Sequence, residues 1–242
     1  ANLQRAAVAA FEGRPGAAVA IDPRNGEVLA MVSQPAFDPN LFVNGISRHD
    51  YAALLAAEQR PLYNRAVLGG YEPGSTIKPF IAIMGLRLGL RTPESTVFST
   101  GEYRLPGQSP VWRDWKRGGH GTVNLREALA RSVNTYFYDL AVDTGIDRIE
   151  PEMRAFGFGA PTGLDLTGEP SGVLPSRSWK QKRFGKAWYP GETVIAGIGQ
   201  GYMLATPLQL AHATATVAMR GQRFSPRLVR RIRDSQTGEI RD

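Results

Sequence analysis

Tyr71-Glu72-Pro73-Gly74-Ser75-Thr76-Ile77-Lys78-Pro79 is the stretch on which the reading of this chain turns. Pro-Gly marks a tight turn. Beyond it Ile77, Ile81, Met84 and Leu88 recur at helical spacing, and Gly89 follows as a stop. A helix is therefore expected from about Ser75 to Leu88. Proline is tolerated only in the first turn, so Pro79 puts Ser75 at or beside the helix N-terminus. Ser75 and Lys78, at i and i+3, then share one face. A serine hydroxyl is a weak nucleophile until a base stands beside it, and a lysine serves as that base only when neutral. Burial and nearby positive charge lower a lysine pKa, and the positive end of the helix adds a little. Its backbone N–H groups also turn toward any developing oxyanion. The competing reading of the same four residues is a serine cap with an exposed lysine.

Further along, Ser132-Val133-Asn134 lies inside a helix-like run that opens on the capping box Asn124-Leu-Arg-Glu127 and stops at Gly145. Serine offers a hydroxyl for proton relay, and asparagine offers a donor and an acceptor for a substrate amide. Both face one way only if the backbone kinks there. Ser and Asn are residue types that compete with helix continuation. The plain alternative is the polar face of an ordinary helix.

Outward from these motifs the pattern is mixed. A short helix is expected over Leu3–Phe11. Two β runs, Ala17–Ile21 and Glu27–Val32, flank Asp22-Pro-Arg-Asn25-Gly26, a strong hairpin signal. Further helices are expected over Asp50–Glu58, Asp147–Phe156, and from the capping box Thr206-Pro-Leu-Gln209 to about Met219. Thr92–Gly121 reads as irregular and Gly157–Gly191 as rich in loops. The stretch Arg227–Arg233 reads as a strand, and Gln236-Thr237-Gly238 as a turn. Strands near both ends with helices between them give an α+β fold class.

Composition narrows the function classes. The chain has 242 residues and a net charge of +7, with 24 Arg, 5 Lys, 3 His and no Cys. Disulfides and thiol catalysis are excluded. Basic residues are scattered, apart from Arg223–Arg233, and no nucleic-acid motif accompanies them, so no nucleic-acid partner is expected. Asp114 and His120 could share an ion, but two ligands are too few for a tetrahedral site, so neither metal nor cofactor is expected. No run approaches the ~18 apolar residues of a membrane span, and no signal peptide is legible. The expectation is a cytosolic protein or an excised soluble piece. Gly197-Ile-Gly-Gln-Gly201 lacks the spacing of a phosphate loop and reads as a tight turn.

Taken together, Ser75-x-x-Lys78 and Ser132-x-Asn134 resemble the serine-active penicillin-recognising enzymes, whose third motif is Lys-Ser/Thr-Gly. Asn25–Ser33, Phe37–Phe42, Pro73–Pro79, Trp112-Arg-Asp-Trp115, Gly119-His-Gly121, Trp179–Phe184 and Gly197–Tyr202 are similar to one branch of these. That branch is the penicillin-binding protein 2 group, the class B transpeptidases of cell elongation. The likeness runs from about residue 16 to the end. It implies the penicillin-binding protein/β-lactamase-like fold, with an antiparallel sheet, flanking helices and a mainly helical subdomain. It implies a peptidoglycan D,D-transpeptidase in which Ser75 attacks the carbonyl between two terminal D-alanines and its N–H forms one side of the oxyanion hole. Lys78 would accept the proton, Ser132 would relay one to the leaving amine, and Asn134 would hold the donor amide. The implied partners are peptidoglycan stem peptides, β-lactam antibiotics, a membrane glycosyltransferase and other elongation proteins. The implied place is the periplasmic face of the bacterial inner membrane.

The five lysines stand at 78, 116, 180, 182 and 186, and none precedes Ser-Gly or Thr-Gly. The third motif is therefore missing, and residues 1–242 are expected to be an incomplete transpeptidase domain, lacking the anchor, the pedestal region and the third-motif strand. Two alternatives stay open: a catalytically silent scaffold of the cell-wall complex, and a β-lactam hydrolase or sensor. Asp114, Trp112 and Trp115, between the two motifs, are candidates for the mouth of the cleft or for a structural loop.

Overall fold

The computed structural model describes residues 2–241. In chain order it begins with α1 (Asn2–Ala10), β1 (Gly16–Ile21), β2 (Val28–Gln34) and α2 (Arg48–Ala56). A 3-10 turn, Gly74–Ile77, leads into α3 (Lys78–Arg87). Four short strands follow: β3 (Thr96–Ser99), β4 (Glu102–Arg104), β5 (Val111–Arg113) and β6 (Gly121–Asn124). Then come α4 (Leu125–Ala130), α5 (Asn134–Thr144), α6 (Ile146–Ala155), α7 (Arg177–Phe184), α8 (Pro190–Ala196) and α9 (Pro207–Ala218). A terminal hairpin, β7 (Ile232–Arg233) and β8 (Ile240–Arg241), closes the chain. Among the described residues no helix is long and apolar enough to cross a membrane.

The chain divides into two compact units. One comprises residues 2–70, 160–171 and 205–241. Its centre is the antiparallel pair β1–β2, in register from Gly16↔Gln34 to Ala20↔Ala30. The Asn25-Gly26 turn works as the sequence implies. Gly26 takes φ +80°, and a Cβ there would lie 2.2 Å from Ser225 O. Within the same turn Asp22 accepts the N–H and guanidinium of Arg24, which hold its carboxyl down at about 2. Ala17, Val19, Ile21, Val28 and Met31 pack against Ala66, Val67, Leu164 and Leu208. Leu208 projects from α9, which begins on the Thr206–Gln209 capping box with Pro207 in its first turn. The edge of β2 is covered by α1, where the Gln4 amide both donates to Met31 O and accepts from Met31 N. That pair satisfies backbone groups a lone edge would leave open.

The other unit comprises residues 71–159 and 172–204 and is mainly helical. Its axis is α5, whose Tyr136, Phe137, Leu140 and Ala141 are wholly buried. Gly85 lets α3 lie against Leu140, and Gly197, after α8, lies against Ala141 and the Phe137 carbonyl. Phe80 of α3 meets Phe156 and Phe158 edge to face. Two small antiparallel sheets, β3–β6 and β4–β5, occupy the stretch read as irregular.

Three expectations are corrected. The helix-like run from Leu125 to Thr144 is two helices, broken at Arg131–Val133, because Ser132 turns left-handed with φ 53°. The region read as loop-rich, Gly157–Gly191, holds α7 and the first two residues of α8. The C-terminal run from Arg227 forms one bridge, to Glu27, and only Ile232–Arg233 is a strand.

Candidate active site

The lead-in to Ser75 is fastened by the segment 197–201. Gly74 N donates to Gly199 O at 2.9 Å, and Gly201 N donates to the Glu72 carboxyl at 2.9 Å. Thr76 Oγ1 closes the turn on Pro73 O at 2.6 Å. Gly199 has φ +68°, and a Cβ on it would meet Gly74 O at 2.5 Å, so only glycine fits that approach.

The α-helix itself starts at Lys78, three residues later than the periodicity suggests. Ser75 sits in the 3-10 turn before it, where Lys78 N donates to Ser75 O. Pro79 then occupies the first turn of α3, where its missing N–H costs nothing. In a 3-10 turn residues i and i+3 eclipse one another. Ser75 and Lys78 therefore lie one above the other more strictly than on an α-helix.

Ser132 and Asn134 arrive from the break between α4 and α5. Ser132 Oγ donates to Ser75 Oγ at 2.9 Å. Lys78 Nζ donates to Ser132 O at 2.8 Å, Ser132 Oγ at 3.0 Å and Asn134 Oδ1 at 2.7 Å. All four residues singled out in the sequence thus form one bonded cluster, in which Ser132 stands between Ser75 and the amine. Ser75 is exposed, whereas Lys78 is only 2% exposed. Burial pushes the Lys78 amine down to about 8, and the charge of Asp114 opposes that fall. The Phe137 ring lies 5.4 Å from Nζ, a cation–π contact not legible in the sequence.

Asp114 and His120 are neighbours, with His120 Nε2 at 3.3 Å from Asp114 Oδ1. Among the described residues no group of three or more His, Asp or Glu gathers as a metal site would require. Trp115 is exposed and, with Lys116, His120, Ala130, Arg131 and Ser132, lines an open cavity of about 780 Å³ beside the cluster. Trp112 instead packs its ring against Gly191. Gly197–Gly201 is a turn, and Gln236-Thr237-Gly238 sits in the β7–β8 hairpin, with Gly238 N donating to Asp234 O. Glu72 and Gly199 escaped sequence reasoning, since nothing local marks which loop they meet.

The family model for the penicillin-binding protein transpeptidase domain matches residues 16–241. The peptidoglycan D,D-transpeptidase MrdA of Escherichia coli K12 is 50% identical over 88% of this chain and 34% of its own length. Its Acinetobacter baumannii namesake is 48% identical over 100% of the chain and 36% of its own length. This chain therefore spans about a third of these relatives. Among solved structures, Pseudomonas aeruginosa PBP2 in complex with WCK 5153 matches with TM-score 0.92 at 55% identity, over 94% of this chain and 50% of that one. Helicobacter pylori PBP2 in complex with MreC matches with TM-score 0.90 at 35% identity, over 100% and 44%. Penicillin-binding protein A of Mycobacterium tuberculosis, as its penicillin G acyl-enzyme, matches with TM-score 0.76 at 29% identity, over 89% and 48%. A serine and a lysine joined through a second serine, on a fold shared over nearly the whole chain, leave one assignment: this chain belongs to the penicillin-binding protein transpeptidase domain family.

Proposed function

We propose that this chain supplies the nucleophile-bearing part of a peptidoglycan D,D-transpeptidase of cell elongation. The observation that carries the reading is the bonded series Ser75 Oγ, Ser132 Oγ, Lys78 Nζ, Asn134 Oδ1.

Ser75 attacks the carbonyl between the terminal D-alanines of a stem peptide. Its proton passes to Ser132 as Ser132 gives its own to neutral Lys78, so the hydroxyls reverse the donor sense seen at rest. The Oγ–C ester forms, the peptide C–N bond breaks, and the D-alanine amine leaves with the proton returned through Ser132. Asn134 is held by Lys78 through Oδ1, which leaves its Nδ2 group to donate to the donor-peptide carbonyl. The Ser75 N–H, in the opening turn, supplies one oxyanion donor. The amine of a neighbouring stem peptide then attacks the ester, and Ser75 recovers its proton. β-Lactams acylate the same oxygen because they mimic the donor.

The proposed setting is the periplasmic face of the inner membrane, beside a glycosyltransferase and a partner of the MreC kind. The domain is read as incomplete within residues 1–242, and the cation for the substrate carboxylate is assigned to none of the five lysines.

Intact mass spectrometry of the full gene product with benzylpenicillin tests this reading. The expected result is a lasting adduct, absent in Ser75→Ala. An unlabelled wild type favours the scaffold, and rapid drug turnover favours the hydrolase; either overturns the transpeptidase.

A further inference from the structure

The Ser132–Asn134 segment has an unusual construction. Its residue Ser132 is left-handed without being glycine, and the N-cap of α5, Val133, has no side chain able to cap. A helix start so formed needs a partner from elsewhere. That partner is the dipeptide Asp114-Trp115, some twenty residues earlier. Asp114 Oδ2 accepts Thr135 N at 3.0 Å and Thr135 Oγ1 at 3.2 Å. Its other oxygen accepts Trp115 N at 2.8 Å and faces His120 Nε2 at 3.3 Å. The Asp114 side chain is 0% exposed. Trp115 Nε1 donates to Arg131 O at 3.1 Å, at the last turn of α4. The two contacts therefore grip the chain immediately before Ser132 and immediately after Asn134. Ser99 Oγ, accepting from Thr135 Oγ1 at 2.7 Å, braces the second grip. Tyr138 repeats the tie one turn on, donating to Arg113 O at 3.3 Å.

We propose that Asp114 and Trp115 are positioning residues that clamp the Ser132-Val133-Asn134 segment from both sides and hold its two polar groups against Lys78. The inference deepens the transpeptidase reading and rests on it for its kinetic consequences. Neither residue touches the reacting atoms; each acts through backbone placement. Asp114 has a second effect, through space. The surroundings of Lys78 Nζ are Ser132, Asn134 and the Phe137 ring, and the charge acting on the amine is that of Asp114. His120 stands next to Asp114, while Lys116 and Arg131 lie on the rim of the adjoining cavity. Since the Asp114 charge favours the protonated amine, removing it lets the Lys78 pKa fall further.

The test uses the full gene product with benzylpenicillin, following the acylation rate against pH and backbone hydrogen exchange over residues 131–136. Asp114→Ala is expected to slow acylation roughly 10–100-fold, as a misplaced catalytic group does. It is also expected to expose the Thr135 amide to exchange. Asp114→Asn, turned with its Oδ1 toward Thr135, keeps that acceptor while giving up the one at Trp115 N. It is expected to lose less rate than Asp114→Ala, with its pH midpoint moved down. Trp115→Phe removes only the Nε1 donor of a ring that is 65% exposed, so its fold is retained. It is expected to slow acylation and loosen the Arg131 end, and it carries the test if Asp114→Ala fails to fold. Unchanged rate and exchange in Trp115→Phe, or a Thr135 amide that stays protected in Asp114→Ala, would overturn the clamp; an unmoved pH midpoint in Asp114→Asn would overturn the charge effect of Asp114. If the wild type is never acylated, the transpeptidase reading falls alone, because exchange at Thr135 still judges the clamp.

Discussion

At the scale of single residues, the proposed chemistry depends on how a buried amine titrates. Lys78 has its pKa depressed from 10.5 to about 8 because burial penalises the ammonium. A base must be unprotonated to act, so the acylation rate should rise with pH and level off above about 8. A profile flat from pH 6 to 9 would show that Lys78 is not the base. The linkage to stability has a definite sign. Between about pH 8 and 10.5 the unfolded chain binds more protons at this site than the folded one. This group's contribution to stability therefore increases through that window and is at its least favourable below it. Replacing Lys78 by Arg keeps a cation but forfeits the neutral form, since a guanidinium stays charged. Acylation should fall by about 10²–10⁴-fold. Ser132→Ala should fall within the same range, because the hydroxyl between Ser75 and Lys78 is gone; near-normal acylation would mean that the amine takes the proton directly.

At the scale of elements, Ser75, the proposed nucleophile, is placed by a turn held from outside. Gly199→Ala and Gly89→Ala make a controlled pair. Both glycines are left-handed, at φ +68° and +67°, so backbone strain alone should cost each substitution about 1–2 kcal/mol of stability, with the clash at 199 adding to it. Only at 199 does the new methyl meet backbone, at Gly74 O; at 89 it enters open space. Acylation should therefore drop about 10²-fold in Gly199→Ala and stay normal in Gly89→Ala. Equal rates would mean that the 197–201 segment does not position Ser75. The same contrast explains what the sequence disclosed. The Asn25-Gly26 hairpin and the Thr206 capping box are local, and both were legible. A kink at Ser132–Asn134 was legible in the residue types, but a full break into two helices was not, because apolar residues continue across it at helical spacing. Helix α7 was missed because its buried face carries Lys180, paired with Glu192 and stacked near Tyr189, where an apolar stripe would ordinarily be. For α8 the cap is Tyr189, whose N–H meets Glu192, and tyrosine is no cap signal. Strands β3 and β6 hold four residues each and pair across an intervening hairpin, too short for alternation to register. Spacing singled out the four polar residues of the site as candidates, and the resemblance to the penicillin-recognising enzymes joined them. Glu72, Gly199 and the cap from Asp114 were not, because each depends on which distant segment folds against it.

At the scale of the whole molecule, each compact unit has an interior of its own. One is built on β1, β2 and α9, with Leu208 at 0% exposure; the other on α5, with Leu140 also at 0%. The four-residue cluster belongs to the second unit alone. Removing a fully buried leucine to alanine costs about 2–5 kcal/mol, wherever it lies. Where that loss appears should differ. Leu208→Ala should lower hydrogen-exchange protection over β1, β2 and α9, while α5 keeps its protection and acylation at low temperature stays close to normal. Leu140→Ala should do the reverse, loosening α3 and α5, because Gly85 seats α3 directly on Leu140. It should slow acylation as well, since Lys78 begins α3 and Asn134 begins α5. Exchange measured across both variants, alongside the acylation rate, separates the outcomes. Protection lost evenly over the chain in either variant would mean that the two interiors unfold as one, and that the site takes its stability from both.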